Sequence, residues 1–289
     1  MDSPLISIII PTYNRPQLLP RAVQSALAQT IDNFEVLVID DGSPEPVNLP
    51  DHPRLRVIRS PKNQGTAATR NAGARAAQGR YITYLDDDDQ LLPHMAEVSL
   101  KALNHTTLPQ PVAVLSGLDV LNSDGEAVET RLPPTLPRGS YFFLEEIEPG
   151  KSFLSKQTLV VERDVLLGIG GYDETLQSRV HTEMFLRLNP VCSIVGLPTV
   201  TYQLITHEGP RISRNPSLRQ ISFQRLVKKH KPIFKAHPRM FADFVYKHAQ
   251  MSYRLGQKRA AFFSLLWAVQ IHPRHILGRV TWHLRKNPI

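Results

Sequence analysis

The sequence predicts an α/β fold, a mostly parallel sheet flanked by helices over residues 1–210, with a basic helical extension over residues 211–289. Three observations predict it. Short apolar runs alternate with stretches of helical periodicity through the N-terminal half, as strand–helix crossovers require. The first run, residues 6–10, reads ISIII, the near-continuous apolar character of a strand covered on both faces. The charge also divides sharply: residues 1–210 carry 17 Lys and Arg against 25 Asp and Glu, a net of −8, whereas residues 211–289 carry 17 against Asp243 alone, a net of +16.

In chain order, the run 6–10 is followed by residues 16–29, where Leu18, Leu19, Ala22, Val23, Ala26 and Leu27 recur at helical spacing. Residues 34–39 and 54–59 are expected as the second and third strands, and the Ala-rich stretch 66–78 as a helix. A strand over 81–85 leads into an acidic turn and a helix over 92–103. Residues 112–117 (VAVLSG) read as a strand, the Pro-rich 131–140 as a loop, and 156–161 as a further strand. In the extension, Phe241, Phe244, Val245, His248, Met251 and Leu255 form one stripe, broken at Gly256. Ala261, Phe262, Leu265, Leu266 and Val269 form a second before Pro273, so a helical hairpin is expected with both stripes inward.

The chemistry concentrates where the strands end. Asp86, Asp87, Asp88 and Asp89 follow a buried-type strand directly, and four adjacent carboxylates repel one another unless a cation sits among them. Aspartates are the hard oxygen donors that Mg²⁺ or Mn²⁺ prefers. Asp86 and Asp88 stand two apart, so they point the same way if the strand geometry persists. Ligands of open parallel sheets bind outside the carboxyl ends of the strands, where the segments 8–15 (IIIPTYNR), 35–43 (EVLVIDDGS) and 80–93 (RYITYLDDDDQLLP) all terminate. No His/Cys set with zinc spacing accompanies them.

Five segments in this order resemble the family 2 glycosyltransferases, which have the GT-A fold: PTYN (11–14), IDDGS (39–43), NQGTAATRNAG (63–73), YLDDDD (84–89) and GGYDE (170–174). The resemblance covers about residues 5–210. It implies a GT-A-type, Rossmann-like sheet and transfer of a sugar from a nucleotide-diphospho-sugar to an acceptor hydroxyl, metal-dependent with Mn²⁺ or Mg²⁺ and inverting. Pro11, Thr12 and Tyr13 would bound the base pocket. Asp41 would accept a hydrogen bond from the nucleobase or ribose, with Gly42 letting the backbone approach the ligand. Arg70 would reach the diphosphate or ribose, the alternative being a solvated helix face. Asp88 would be the direct metal ligand together with Asp86, with Asp86 or Asp87 on the sugar. HEGPRISRN (207–215) resembles a loop in which His207, Arg211 and Arg214 would close over the diphosphate.

One motif departs from the pattern. Inverting members present Glu-Asp before an L-W-L-R-L helix, and here Val180-His181 stands at that place, ahead of Leu186-Arg187-Leu188. Either His181 deprotonates the acceptor, or Glu183 replaces the missing carboxylate, or neither is a base. Two residues apart on a helix, the two side chains point in different directions, so only one enters the site. A protein that keeps the nucleotide-sugar fold and has lost its base is the competing expectation.

With 289 residues and 42% hydrophobic content, the chain can bury one large core and an appendage. Cys192 is the only cysteine, so no intrachain disulfide forms and a cytoplasmic location is expected. Residues 1–7 lack a basic leader, and the longest apolar stretch, 260–271, is too short for a membrane span. The acceptor is expected to be a carbohydrate or a lipid-linked molecule. The +16 extension points to peripheral contact with a membrane through its basic helices, to a dock for an anionic acceptor, or to pairing with the acidic N-terminal part. It shows no nucleic-acid reader motif, and nucleic acid is not expected as a partner.

Overall fold

A computed structural model describes residues 3–206 and 215–286. Two compact units divide the chain: one holds residues up to 142 and from 147 onward to 206, the other residues 143–146 and the helices from 216 on.

The first unit is a three-layer α/β structure. Its strands β1 (Ile6–Thr12), β2 (Phe34–Asp40) and β3 (Leu55–Arg59) pair in parallel in the order β3–β2–β1, and β4 (Tyr81–Tyr84) pairs in parallel on the other side of β1. Helices α1 (Leu19–Leu27) and α2 (Thr66–Ala76) make the crossovers of this half. Every residue of β1 and β2 is buried, which explains why both are largely apolar; their interior polar residues, Ser7 and Glu35, satisfy each other, the Ser7 hydroxyl donating to Glu35 at 2.7 Å. Ile6, Ile8, Ile10, Val36 and Val38 face one core with Ala22 and Val23 of α1; each fully buried branched side chain contributes about 2 kcal/mol of transfer free energy.

The chain winds outward from β1 to β3 and then returns to the opposite flank of β1 at β4. The C-terminal ends of β1 and β4 therefore diverge at a topological switch point, the place where open parallel sheets bind ligands. Beyond β4 come β5 (Gln90–Leu91), α3 (Met95–His105), β6 (Val112–Leu121), β7 (Ala127–Arg131), β8 (Val160–Glu162), α4 (Arg163–Gly168), α5 (Val180–Leu188) and β9 (Ser193–Ile205). The sheet continues β4–β8–β6–β9–β5, with β8 antiparallel to both its neighbours and β6 parallel to β9.

In this first unit two expectations about local structure are corrected. Residues 156–161 are not one strand. A 3₁₀ helix, Phe153–Thr158, precedes the short β8, because the Ser152 hydroxyl accepts the Leu154 N–H at 3.1 Å and Thr158 Oγ1 is tied to the Ser155 and Ser116 carbonyls at 2.9 Å. The strand expected over 112–117 runs on to Leu121, passing an irregularity in register at Gly117.

The second unit is helical: α6 (Pro216–Lys229), α7 (Lys231–Ala236), α8 (Pro238–Arg254), α9 (Lys258–Ile271) and α10 (Pro273–Lys286). Phe223 of α6 stacks on His248 of α8 at 3.7 Å, and Phe234, Phe241 and Phe244 complete an aromatic core. The α8–α9 hairpin forms with the first stripe inward as far as His248, whereas Met251 is exposed. The second stripe is corrected: α9 buries Ala261, Ser264 and Ala268, and leaves Phe262 and Leu266 outside. Small side chains let α9 approach α8 closely, and the bulky ones are displaced to the opposite face. Among the described residues no helix is long and apolar enough to cross a membrane.

Candidate active site

Three strand ends converge at the switch point. β1 ends at Thr12, β2 at Asp40, and β4 runs through Leu85 into the four aspartates. The Thr12 hydroxyl donates to Asp87 at 2.7 Å, and the Asp41 N–H donates to the Thr12 carbonyl at 2.9 Å, so the three ends are bonded together. Pro11 lies within β1 beside Ile39, and Tyr13 follows it with 44% of its surface exposed, open to a ligand ring. Asn14 takes a left-handed conformation (φ 52°) and donates its N–H to Ser43 Oγ at 2.8 Å, turning the chain across the end of β2.

The loop after β2 is built by its own side chains. Asp40 accepts the Ser43 N–H at 2.9 Å, while its Oδ2 is buried without a hydrogen bond, 3.7 Å from Arg59. Asp41 accepts the N–H groups of Gln64 and Gly65, one on each carboxylate oxygen, both at 2.9 Å. Its two oxygens thus lock the 63–65 turn at the head of α2. At Gly42 (φ +72°) a Cβ would lie 2.7 Å from the Lys62 carbonyl carbon, so the close approach that this glycine permits is to that same turn.

Helix α2 delivers Arg70 and Asn71. Arg70 is 3% exposed, which rules out a solvated face. It pairs with Asp86, lies 6.0 Å and 5.8 Å from the rings of Tyr84 and Tyr172, and keeps its Nε buried without a partner. Asn71 clamps the 170–174 turn: its Oδ1 accepts the Tyr172 N–H at 2.8 Å, and its Nδ2 donates to the Tyr172 carbonyl and to Glu174 at 2.9 and 2.8 Å. Gly171 (φ +63°) packs directly against that amide, leaving no room for a Cβ.

The four aspartates do not continue the strand. The Asp89 N–H donates to the Asp86 carbonyl at 3.0 Å, closing a turn. The expected alternation is therefore replaced by a convergence: carboxylate oxygens of Asp86, Asp88 and Asp89 all lie within 4.8 Å of one another. Asp87 points elsewhere, to Thr12 and to Arg15, whose guanidinium sits 2.9 Å from Asp87 and 2.7 Å from Asp88. Burial pushes the Asp87 carboxyl up to about 6 against the pull of Thr12 and Arg15. Asp89, held by Tyr202 Oη at 2.7 Å and the Ile205 N–H at 2.9 Å, is pushed well above the usual carboxylate range by burial and by the charges of Asp86 and Asp88. An all-oxygen donor set this crowded with like charge fits a hard divalent cation, which would relieve the repulsion.

Helix α5 separates the two base candidates. Glu183 is fully buried, and its carboxylate is gripped by Arg187 at 2.8 and 2.6 Å. Arg187 also donates to the carbonyls of Ile169 and Gly171, so the pair braces the 170–174 turn from beneath. His181, half-buried in the first turn of α5, faces Tyr172 edge-on at 5.4 Å. Burial, with Arg70 and Lys156 adding positive charge, holds its pKa well below 6.5. The helix N-terminus opposes the imidazolium as well, so the ring is neutral at pH 7. The sequence patterns assign no role to Arg15, Asn71 or Tyr202, and place Asp89 in the carboxylate cluster without marking it as a ligand. The loop of His207, Arg211 and Arg214 lies outside the described residues.

The family model described as "Glycosyl transferase family 2" matches residues 7–129. An uncharacterized glycosyltransferase of Haemophilus influenzae is 29% identical over 191 residues, 64% of this chain and 62% of its own length. The hyaluronan synthase of Pasteurella multocida is 30% identical over 230 residues, 77% of this chain but 22% of its own. The chain thus spans less than two thirds of these curated relatives. Among solved structures, S. aureus TarS 1-349 in complex with UDP-GlcNAc superposes with a TM-score of 0.61 at 16% identity, covering 94% of this chain and 82% of that one. The fold is that of GT-A glycosyltransferases.

Proposed function

We propose that this chain, which belongs to glycosyl transferase family 2, moves a sugar from a nucleotide-diphospho-sugar to an acceptor hydroxyl, with inversion at the anomeric carbon. The observation that carries the reading is the meeting of Asp86, Asp88 and Asp89 at the switch point, beside buried Arg70 and half-buried His181. A divalent cation, Mn²⁺ or Mg²⁺, held by Asp86, Asp88 and Asp89 supplies Lewis-acid neutralisation of the departing diphosphate when bound. Tyr13 flanks the nucleobase, with Pro11 and Thr12 forming the floor. Asp41 acts by fixing the turn at the head of α2, in addition to any contact with the nucleoside. Arg70, buried and paired with Asp86, holds that carboxylate in place for the cation and adds positive charge beside the donor's diphosphate. Neutral His181 accepts the proton of the attacking acceptor hydroxyl, because Glu183 is committed to Arg187.

The matched relatives favour a carbohydrate or lipid-linked acceptor in polysaccharide synthesis. Cytoplasmic action at a membrane surface fits the lone, buried Cys192 and the basic second unit.

Isothermal titration of UDP, GDP and dTDP with and without Mn²⁺ tests the donor site. Metal-dependent binding of one of them, lost in Asp88→Ala, is expected. A folded protein that binds none overturns the reading.

A further inference from the structure

The second unit presents a surface that this chemistry does not use. A helix packed on a water-soluble unit ordinarily turns polar residues outward. Helix α9 does the reverse: Ala261, Ser264 and Ala268 face inward, while Phe262, Phe263 and Leu266 are 57%, 66% and 43% exposed. The rings of Phe262 and Phe263 meet edge to face at 5.8 Å, so they form one ridge rather than two isolated side chains. Tyr253, 65% exposed, stands at the end of α8, just before the turn that leads into α9.

Cations accompany the ridge. Lys258 and Arg259 lie four residues before Phe262 and Phe263, one helical turn away, and Arg254 ends α8; all three are exposed. No described carboxylate pairs with any of them. Asp243, the single acid after residue 210, is already bonded to His275 at 2.8 Å and Arg279 at 3.2 Å. The partner must therefore bring negative charge and accept apolar rings together.

We infer that the Phe262–Phe263–Leu266 ridge, with Arg254, Lys258 and Arg259, docks the protein on an anionic lipid bilayer, an inference that deepens the membrane contact proposed above. Aromatic and aliphatic side chains enter the boundary between headgroups and acyl chains, while the cations meet the headgroup phosphates. The +16 charge of residues 211–289 opposes a second copy of the same surface. Single-stranded nucleic acid is the poorer fit, because the two rings engage each other edge to face instead of offering separate faces for stacking, and Leu266 has no role in it.

The test is co-flotation of the full chain with vesicles of phosphatidylcholine alone and of phosphatidylcholine with phosphatidylglycerol. The double variant Phe262→Ser, Phe263→Ser runs in parallel, and circular dichroism and the nucleotide titration report on its fold and donor site. Salt-sensitive flotation with the anionic vesicles is expected, reduced by about tenfold or more in the double variant. Absence of flotation overturns both the membrane contact and the ridge. Undiminished flotation of the double variant overturns the ridge alone and leaves the contact to the other basic residues. A dimer by light scattering, or binding of a labelled oligonucleotide, abolished by the same substitutions reassigns the ridge and overturns the proposal. Nucleotide binding is expected to be equal in both proteins, so the donor-site reading stands or falls separately.

Discussion

His181 and Glu183 stand two positions apart on α5, and their fates are opposite. A base must be unprotonated and able to meet the acceptor, and His181 is both neutral at pH 7 and half-buried rather than sealed. His181→Ala is expected to leave metal-dependent nucleotide binding within about twofold while lowering transfer by about 10²-fold or more. Because the folded pKa lies below the ordinary 6.5, the contribution of His181 to the acidic limb of kcat/KM falls below pH 6.5 and is lost in the variant, leaving the part set by Asp87, at about 6, and Asp89. The same shift has a stability consequence. The unfolded state takes up the proton first as pH drops through 6.5, so His181 costs stability on the acid side and is without effect above it. Glu183→Gln tests the other candidate: it weakens the grip on Arg187, costs about 3–5 kcal/mol in urea unfolding, and leaves kcat within severalfold. A collapse of kcat with unchanged stability would make Glu183 the base. The sequence named both residues but could not choose, since the choice depends on Arg187 reaching back one turn and across to the Ile169 and Gly171 carbonyls. Arg15 and Tyr202 were illegible for a related reason. Their carboxylate partners lie 72 and 113 residues away, and no local pattern announces such pairings.

At the level of elements, the parallel strands were legible because burial on both faces favours a largely apolar run, which β1, β2 and β4 keep with few interruptions, Ser7, Glu35 and Thr83 among them. Elements shaped by side-chain capping or by close packing were not. The 3₁₀ helix at 153–158 rests on the Ser152 and Thr158 hydroxyls, and α9 buries its smallest residues, whereas periodicity points to the largest. The aspartate turn belongs to the same class: its carboxylates converge through one backbone hydrogen bond, which a strand extrapolation cannot foresee. How α2 and the 170–174 turn come together is a matter of one amide. Asn71 supplies three hydrogen bonds across about a hundred residues of chain, and the turn carries Tyr172 against both Arg70 and His181. Asn71→Ala should cost about 2–4 kcal/mol in chemical denaturation, from three lost bonds in a buried setting. It should also lower kcat more than it weakens nucleotide binding, because the 170–174 turn positions the base side of the site. Equal loss in both would place Asn71 with the donor instead.

On the scale of the whole molecule, two units of opposite charge share one chain, and the ligands proposed for them differ in kind. On the proposed function the first unit takes a cation among its aspartates and a nucleoside diphosphate upon it; the second carries a surplus of positive charge that its one acid after residue 210 cannot offset. Ligand linkage and charge screening therefore act on different parts of the protein. A ligand bound only by the native state stabilises by RT ln(1 + [L]/Kd), about 2.7 kcal/mol at a hundredfold excess over Kd. Self-repulsion within a like-charged unit is relieved as the Debye length shrinks, from about 30 Å at 0.01 M salt to about 8 Å at 0.15 M. Calorimetry of the full chain at low salt is expected to show two transitions. Mn²⁺ with the cognate nucleotide should raise one and leave the other in place, and moving to 0.15 M salt should raise chiefly the second. A single transition moved as a whole by the nucleotide would mean that the units unfold together, and the basic helices would then belong to the stability of the catalytic unit rather than to a separate docking role.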